Sequence, residues 1–124
     1  RGMLERGRGR IVFIASMTTF QGGTNDVSYT AAKSAVAGAV NALANEWAGR
    51  GVGVNAIAPG YIETELTMGR DGNPERVAAQ LPRIPFGRWG RPADIAGAAV
   101  FLSSDASAYV HGVVIPVDGG WLVR

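Results

Sequence analysis

Cysteine is absent from the 124 residues of this chain, and histidine occurs once. The absence of thiols excludes disulfides, thiolate metal sites and a cysteine nucleophile. A single imidazole, His111, cannot provide the several ligands that a histidine-based metal site needs. We therefore predict a protein that works without a bound metal, and the cysteine-free composition favours a reducing, cytoplasmic setting.

The chain also has little net charge and few long apolar runs. The formal net charge is +2, and the basic residues are scattered apart from a short cluster at Arg1, Arg6, Arg8 and Arg10. Such a cluster is typical of a solvated helix end, so we predict no nucleic-acid partner. No apolar run approaches the roughly 20 residues that span a bilayer, and we predict no membrane segment.

The sequence does contain an alternation of strand-like and helix-like segments. Apolar runs rich in β-favouring residues predict buried strands at residues 11–15, 52–58 and 113–117. Proline positions and alanine-rich stretches predict helices at residues 26–50, 74–81 and 91–103. Pro116 lacks an N–H group, which places the last strand at a sheet edge. This order is typical of an α/β fold with a parallel sheet between helices.

The long predicted helix carries two stripes of side chains. An apolar stripe, spaced as one helix face requires, consists of Val36, Val40, Leu43 and Trp47. A neighbouring stripe of small residues consists of Ala31, Ala35, Ala39 and Ala42. The alanines either reflect helix propensity alone or pack closely on a helix of a second subunit, which would make the protein a homo-oligomer.

Tyr29 and Lys33 lie four positions apart at the start of this helix, so their side chains project from one face. An adjacent ammonium stabilises a phenolate, which would let the tyrosine exchange a proton with a substrate oxygen. Lys33 is the only lysine among twelve basic residues. An ammonium is a compact point charge, whereas the guanidinium used elsewhere in the chain is a planar fork. The pair is therefore a candidate acid/base centre.

Ser16 follows the first predicted strand directly, thirteen residues before Tyr29. The carboxyl edge of a parallel sheet is where α/β proteins place their ligands, and a hydroxyl there can donate to a substrate oxygen. Serine, tyrosine and lysine in this arrangement of strand, loop and helix are far more specific than any one of them alone. They predict an acid/base site that acts on a carbonyl or an alcohol.

Four segments carry a resemblance to a known family: residues 11–16 (IVFIAS), 29–33 (YTAAK), 54–60 (VNAIAPG) and 117–120 (VDGG). Together they resemble the carboxyl-terminal half of the short-chain dehydrogenase/reductase family, over essentially the whole chain. The resemblance implies that Ser16 orients the carbonyl, that Tyr29 is the acid/base, and that Lys33 assists Tyr29 and binds the nicotinamide ribose. It implies NAD or NADP as the cofactor. Further expected contacts to the nicotinamide end are Pro59, Gly60, Ile62 and Thr64.

The family's glycine-rich phosphate loop has no counterpart here, since Gly22 and Gly23 follow the Ser16 strand rather than open a dinucleotide-binding helix. The chain also begins Arg1-Gly2-Met3. We therefore expect the carboxyl-terminal part of a doubly wound Rossmann-like sheet. Its three strands and flanking helices would form the catalytic half of a single domain over residues 1–124, with the amino-terminal βαβ half outside the chain.

Within the family, the segments 16–23, 45–48, 83–90 and 118–124 are similar to those of sugar-acid dehydrogenases that act on deoxy-ketogluconates. The substrate would then be a small carbonyl compound or alcohol. A gluconate 5-dehydrogenase and a 3-oxoacyl thioester reductase remain alternatives. We expect a homo-oligomer, a dimer or a tetramer, formed through the long helix. A hypothesis of another class is that the 124-residue piece is inactive alone and serves as an oligomerisation module.

Several other polar and aromatic residues are candidates for either function or packing. Phe20, Tyr61 and Trp89 are candidates to line a substrate pocket. We expect Asn55 to be a structural amide inside its strand and Asp118 to belong to a structural turn. We expect Glu63 and Glu65 to be solvated, and His111 to be a loop residue without a catalytic role.

Overall fold

A parallel sheet forms the centre of the fold. In a computed structural model that describes residues 1–68 and 74–124, three strands pair in parallel in the order β1-β2-β3. They are β1 (Gly9–Ile14), β2 (Val52–Pro59) and β3 (Val114–Val117). The predicted parallel sheet is confirmed. Strand β1 begins earlier than predicted because Gly9 already pairs with Val52.

The helices of the described residues are α1 (Gly2–Arg6), α2 (Val27–Trp47), α3 (Glu65–Met68), α4 (Pro74–Gln80) and α5 (Pro92–Ser103). The predicted helix 26–50 continues past Trp47 as a 3₁₀ turn, Ala48–Arg50. No helix in residues 1–68 and 74–124 has the length and apolarity needed to cross a membrane.

Helix α2 covers one face of the sheet with its predicted apolar stripe. Val40 is fully buried against alternate residues of β2, and Val36, Leu43 and Trp47 pack around the same core. Burial of one such aliphatic side chain stabilises a fold by about 1.5–3 kcal/mol. The alanine stripe is exposed, so the two stripes of this helix face different surroundings: Ala31, Ala35, Ala39 and Ala42.

Helix α5 covers the opposite face of the sheet. It contacts all three strands, and none of its residues belongs to the core beneath α2. Arg10 of β1, whose strand neighbour Ile11 packs under α2, reaches Asp105 just beyond the end of α5. Because successive strand residues point to opposite faces, this contact places α5 on the face away from α2. The fold is therefore an α/β/α sandwich.

Strand β3 lies at one edge of the sheet, as Pro116 predicts. Pro116 pairs with Ala58 of β2, and β3 has no further partner among the described residues. A residue that cannot donate to a ladder is tolerated there because its other side needs no strand partner. The edge position predicted for this strand is confirmed.

A second, smaller core lies beyond the carboxyl ends of the strands. Met17, Ile84, Trp89 and Trp121 are buried together. Tyr61 stacks on Trp89 with ring centroids 5.2 Å apart, and it meets Trp121 edge-on at 4.8 Å. Segments far apart in the sequence are thus tied together next to the sheet edge where the candidate residues lie.

Candidate active site

Ser16 lies just beyond the carboxyl end of β1. The strand's hydrogen bonding extends to Ala15, whose N–H donates to the Ile57 carbonyl at 2.8 Å. Ser16 is extended, and its Oγ accepts from the Thr18 N–H at 3.2 Å, which starts the 3₁₀ turn Met17–Thr19. Only 7% of Ser16 is exposed. The hydroxyl is therefore held by the sheet edge on one side and by the turn on the other.

Tyr29 and Lys33 lie in the first turns of α2, as predicted. Lys33 Nζ lies 5.7 Å from the centroid of the Tyr29 ring and donates to the Ile14 carbonyl at 2.8 Å. The ammonium is thus fixed between the end of β1 and the phenol. Tyr29 remains 45% exposed, so a molecule in solvent can reach its ring.

A further hydrogen bond connects the Ser16 turn to the Tyr29 helix. Thr19 Oγ1 donates to the Lys33 carbonyl at 3.1 Å. Since Thr19 belongs to the 3₁₀ turn that Ser16 begins, this bond fixes that turn against α2. Sequence reasoning did not assign a role to Thr19, because nothing in its local pattern shows a partner fourteen residues away.

A cleft of about 330 Å³ brings Ser16 and Tyr29 together. Its described lining residues are Ser16, Met17, Thr18, Asp26, Tyr29, Gly60, Tyr61, Leu66, Thr67 and Arg76. Lys33 is not among them, although its Nζ lies 5.7 Å from the centroid of the Tyr29 ring. The structure therefore places the two predicted hydroxyl groups on one cleft, with the predicted cation supporting one of them.

The turn after β2 reaches this cleft through Gly60. The Gly60 N–H donates to the Val117 carbonyl at 3.0 Å. A Cβ added to Gly60 would lie 2.7 Å from Asp118 Cα, so a side chain does not fit between the two loops. Pro59 is the last residue of β2 and pairs with Val117. The predicted Pro59-Gly60 turn thus ends the central strand at the cleft.

Ile62 and Thr64 lie outside the lining of the Ser16 cleft. Ile62 borders a separate cavity of about 200 Å³ and forms a parallel bridge with Gly90. The bridge uses the Glu63 N–H and the Tyr61 carbonyl, not the N–H of Ile62. The Thr64 hydroxyl accepts from the Thr67 N–H at 3.2 Å, at the start of α3. Their expected nicotinamide contacts remain predictions.

The three aromatic pocket candidates have different positions. Tyr61 lines the cleft beside Ser16. Trp89 is 1% exposed and belongs to the second core, so it supports Tyr61 from behind. Phe20 is 51% exposed and is not among the described lining residues of the cleft.

The polar residues expected to be structural have structural partners. Asn55 donates to the Val110 carbonyl at 2.8 Å and accepts from the Val113 N–H at 3.1 Å. Asp118 accepts from the Gly120 and Leu122 N–H groups, each at 2.9 Å. Glu63 and Glu65 are exposed. These assignments are confirmed.

An ion pair fixes the segment that leads into α5. Arg88 donates two hydrogen bonds to Asp94, at 2.7 and 3.0 Å, and the Arg91 N–H donates to the same carboxylate. The Arg88 hydrogen bonds, followed by the one from Arg91, hold the pKa of Asp94 well below its usual range. The same pairing raises the pKa of Arg88. Arg88 and Asp94 both border the 200 Å³ cavity next to Ile62.

Arg76 is a cleft residue that sequence reasoning missed. It lies in α4, a helix predicted from spacing, but helical spacing does not show which cavity a polar residue borders. Trp121 was missed in the same way, because its burial depends on Tyr61 and on Arg83, which stacks on its ring at 4.0 Å. Only the tertiary structure reveals either position.

The structure brings Ser16, Tyr29 and Lys33 together at the carboxyl edge of a parallel α/β sheet, and this chain matches a known family of α/β proteins. A family model described as Enoyl-(Acyl carrier protein) reductase matches residues 1–122. The chain is 56% identical over 122 residues to 2-dehydro-3-deoxy-D-gluconate 5-dehydrogenase of Pseudoalteromonas atlantica, covering 98% of this chain and 48% of the relative. The chain belongs to the short-chain dehydrogenase/reductase family.

Solved structures of relatives have the same fold. An Agrobacterium tumefaciens protein assigned as a 2-deoxy-D-gluconate 3-dehydrogenase, with bound NADP, is 58% identical with a TM-score of 0.93. A gluconate 5-dehydrogenase of Burkholderia cenocepacia, in complex with NADP and tartrate, is 36% identical with a TM-score of 0.95. These matches cover 98% and 100% of this chain, and 50% and 49% of the solved chains. The chain spans about half the length of the relatives that it matches.

Proposed function

We propose that the chain carries the catalytic half of an NAD(P)-dependent oxidoreductase that interconverts a ketone and a secondary alcohol. The observation that carries the proposal is the cleft shared by Ser16 and Tyr29, with the Lys33 ammonium 5.7 Å from the centroid of the Tyr29 ring. A proton donor, a second hydroxyl and a fixed cation are the groups that carbonyl reduction needs. The domain assignment to residues 1–124 is part of this proposal.

Each of the three residues has a distinct task. In the reducing direction, the Tyr29 hydroxyl donates its proton to the carbonyl oxygen as hydride reaches the carbonyl carbon. Ser16 donates a hydrogen bond to the same oxygen and orients it. Lys33, held by the Ile14 carbonyl, stabilises the phenolate that remains on Tyr29. The reverse sequence of proton movements applies to alcohol oxidation.

The residues present fit the nicotinamide end of a dinucleotide. Bound NAD(H) or NADP(H) would supply or accept the hydride. Thr18 lines the cleft, and its buried Oγ1 has no hydrogen-bond partner among the described residues, so a bound group or a water can satisfy it. The contacts that we propose for the cofactor are Tyr29, Lys33, Pro59, Gly60, Ile62 and Thr64.

We propose a sugar acid, such as a deoxy-ketogluconate, as the substrate. Support comes from the relatives, which include 2-dehydro-3-deoxy-D-gluconate 5-dehydrogenase of Bacillus subtilis at 55% identity over 124 residues. The 3-oxoacyl-[acyl-carrier-protein] reductase of Vibrio harveyi is less similar, at 42% identity over 120 residues. A thioester reductase therefore remains the second candidate.

Two further proposals concern the oligomeric state and the cellular setting of the protein. The exposed alanine stripe of α2 supports a homodimer or homotetramer formed through this helix, because small side chains permit close helix packing. We also propose that the protein acts in the cytoplasm, in carbohydrate metabolism, without a metal, nucleic-acid or membrane partner.

Turnover assays of the full-length protein test the proposed function. We expect NADH or NADPH to support reduction of a deoxy-ketogluconate, with the reverse reaction on the corresponding alcohol. A 3-oxoacyl thioester is the matched alternative substrate. Turnover of the thioester alone would favour the second candidate, and no turnover of either carbonyl substrate would contradict the proposal.

A further inference from the structure

Two neighbouring clefts share one wall. The cleft of about 330 Å³ that contains Ser16 and Tyr29 adjoins one of about 540 Å³. The second cleft continues along the loop 21–26 and ends at Arg83 and Trp121. The residues that line both clefts are Met17, Thr18, Asp26, Tyr61 and Arg76. A molecule bound at Ser16 and Tyr29 can therefore extend toward this shared wall.

Arg76 supplies the positive charge of the first cleft. It is the only cation, and Asp26 the only anion, among the described residues that line this cleft. The remaining polar groups of the lining are hydroxyls and backbone. An anionic substituent is attracted toward the Arg76 guanidinium and repelled by the Asp26 carboxylate, so its charge favours binding beside Arg76.

We propose that Arg76 binds the carboxylate of the substrate while Ser16 and Tyr29 hold its reacting carbonyl or alcohol. This inference rests on the proposed function, because it assigns the part of the site that would distinguish a sugar acid from a neutral sugar. A guanidinium presents paired N–H donors in the geometry of a carboxylate, and charge-assisted bonds of this kind are among the strong hydrogen bonds of proteins.

Arg83 is a suitable comparison residue. It borders the second cleft but not the first, and its guanidinium stacks on the Trp121 ring at 4.0 Å. Its charge contributes to the potential near the site without touching the space beside Ser16. Substitution of Arg83 therefore measures the effect of removing one positive charge near the site. Substitution of Arg76 measures that effect plus the loss of the proposed contact with the substrate carboxylate.

The test compares two compounds as substrates of the full-length protein: 2-dehydro-3-deoxy-D-gluconate, which carries a carboxylate, and its primary amide, which is neutral and of similar shape. For Arg76→Gln, we expect kcat/KM with the acid to fall by about 10- to 100-fold, mostly through a higher KM. We expect kcat/KM with the amide to stay within about threefold of wild type. Arg83→Gln should change neither substrate by more than about threefold.

The same measurements distinguish the ways in which the inference can fail. Equal losses with acid and amide in Arg76→Gln would make Arg76 a structural residue and overturn the inference. Unchanged kinetics with the acid would overturn it as well. Wild-type protein that turns over neither compound would contradict the proposed substrate class, and the inference with it. Arg76→Lys keeps the charge, and we expect it to recover part of the lost acid selectivity, which guards against a misfolded glutamine variant.

Discussion

At the scale of single residues, Lys33 is informative because of its neighbours. Its Nζ donates to the Ile14 carbonyl at 2.8 Å, and its own carbonyl accepts from Thr19 at 3.1 Å. One residue of α2 therefore connects the end of β1, the Ser16 turn and the Tyr29 ring. An ammonium can make the Ile14 contact as a compact point donor, which explains why a chain rich in arginine uses lysine here.

The Thr19 contact predicts a loss of stability in Thr19→Val. This nearly isosteric change removes the donor to the Lys33 carbonyl and leaves that partly buried acceptor without its bond. A net hydrogen bond of this kind is worth about 0.5–1.5 kcal/mol. We expect urea unfolding of the full-length protein to show a decrease of that size, and Thr19→Ser to retain most of the wild-type value. Equal stability of the two variants would argue against a role for the bond.

The close packing around Gly60 leads to a second prediction about a single residue. An added Cβ would lie 2.7 Å from Asp118 Cα, so Gly60→Ala must push two backbone segments apart. We expect a loss of about 1–3 kcal/mol in the free energy of unfolding, since this is the usual cost of overpacking. Gly22→Ala is the matched control, because a Cβ there would meet no atom within 4 Å. Similar melting temperatures for the two variants would contradict the close approach.

At the scale of elements, the start of α5 depends on an ionised carboxylate. Asp94 accepts from Arg88 and from the Arg91 N–H, and these bonds hold its pKa below the usual range. A lowered folded-state pKa means that the stabilisation is present above pH about 5 and declines as the pH falls below about 4. We therefore expect Asp94→Asn to lower the melting temperature most at neutral pH and progressively less in acid.

Thermal unfolding between pH 7 and pH 3 measures this effect. Asp105→Asn serves as the control, because its contacts with Arg8 and Arg10 are longer, at 3.5 and 3.8 Å, and its side chain is exposed. A penalty for Asp94→Asn that stays constant with pH, or that grows in acid, would show that the carboxylate does not act through its charge.

The elements also show how far sequence reasoning reaches in this protein. The proline-free, alanine-rich stretch predicted α2, and the structure confirms the helix and packs its apolar stripe around Val40 against the core. The absent N–H of Pro116 correctly placed β3 at an edge. The second core was not predicted, since the contacts of Tyr61 with Trp89 and Trp121 join segments whose separation in sequence carries no signal.

In the candidate site, too, positions set by local sequence pattern were predicted and positions set by distant contacts were not. Ser16, Tyr29 and Lys33 were predicted as site residues because a strand end and a helix start can be inferred from local pattern, and the structure places Ser16 and Tyr29 on one cleft with Lys33 next to Tyr29. Arg76 was not identified, because its place on the cleft depends on how α4 packs over the sheet. Residues that contribute through local geometry are therefore predictable here, whereas residues that contribute through distant packing are not.

At the scale of the whole molecule, the chain contains the proposed reacting groups, but residues 1–68 and 74–124 contain no strand, glycine turn and helix arranged for a pyrophosphate. The 124-residue chain alone should therefore bind NADPH and NADH far more weakly than the full-length protein. Fluorescence titration of both proteins with both cofactors measures the difference. Equal affinity of the short chain would show that residues 1–124 already contain a complete dinucleotide site.

Turnover of full-length Tyr29→Phe measures whether Tyr29 exchanges the proton during carbonyl reduction. The change removes one hydroxyl and keeps the ring that lies against Lys33. We expect kcat to fall by about 10²- to 10⁴-fold, as is usual when a general acid is lost. A kcat close to that of the wild-type protein would contradict the account.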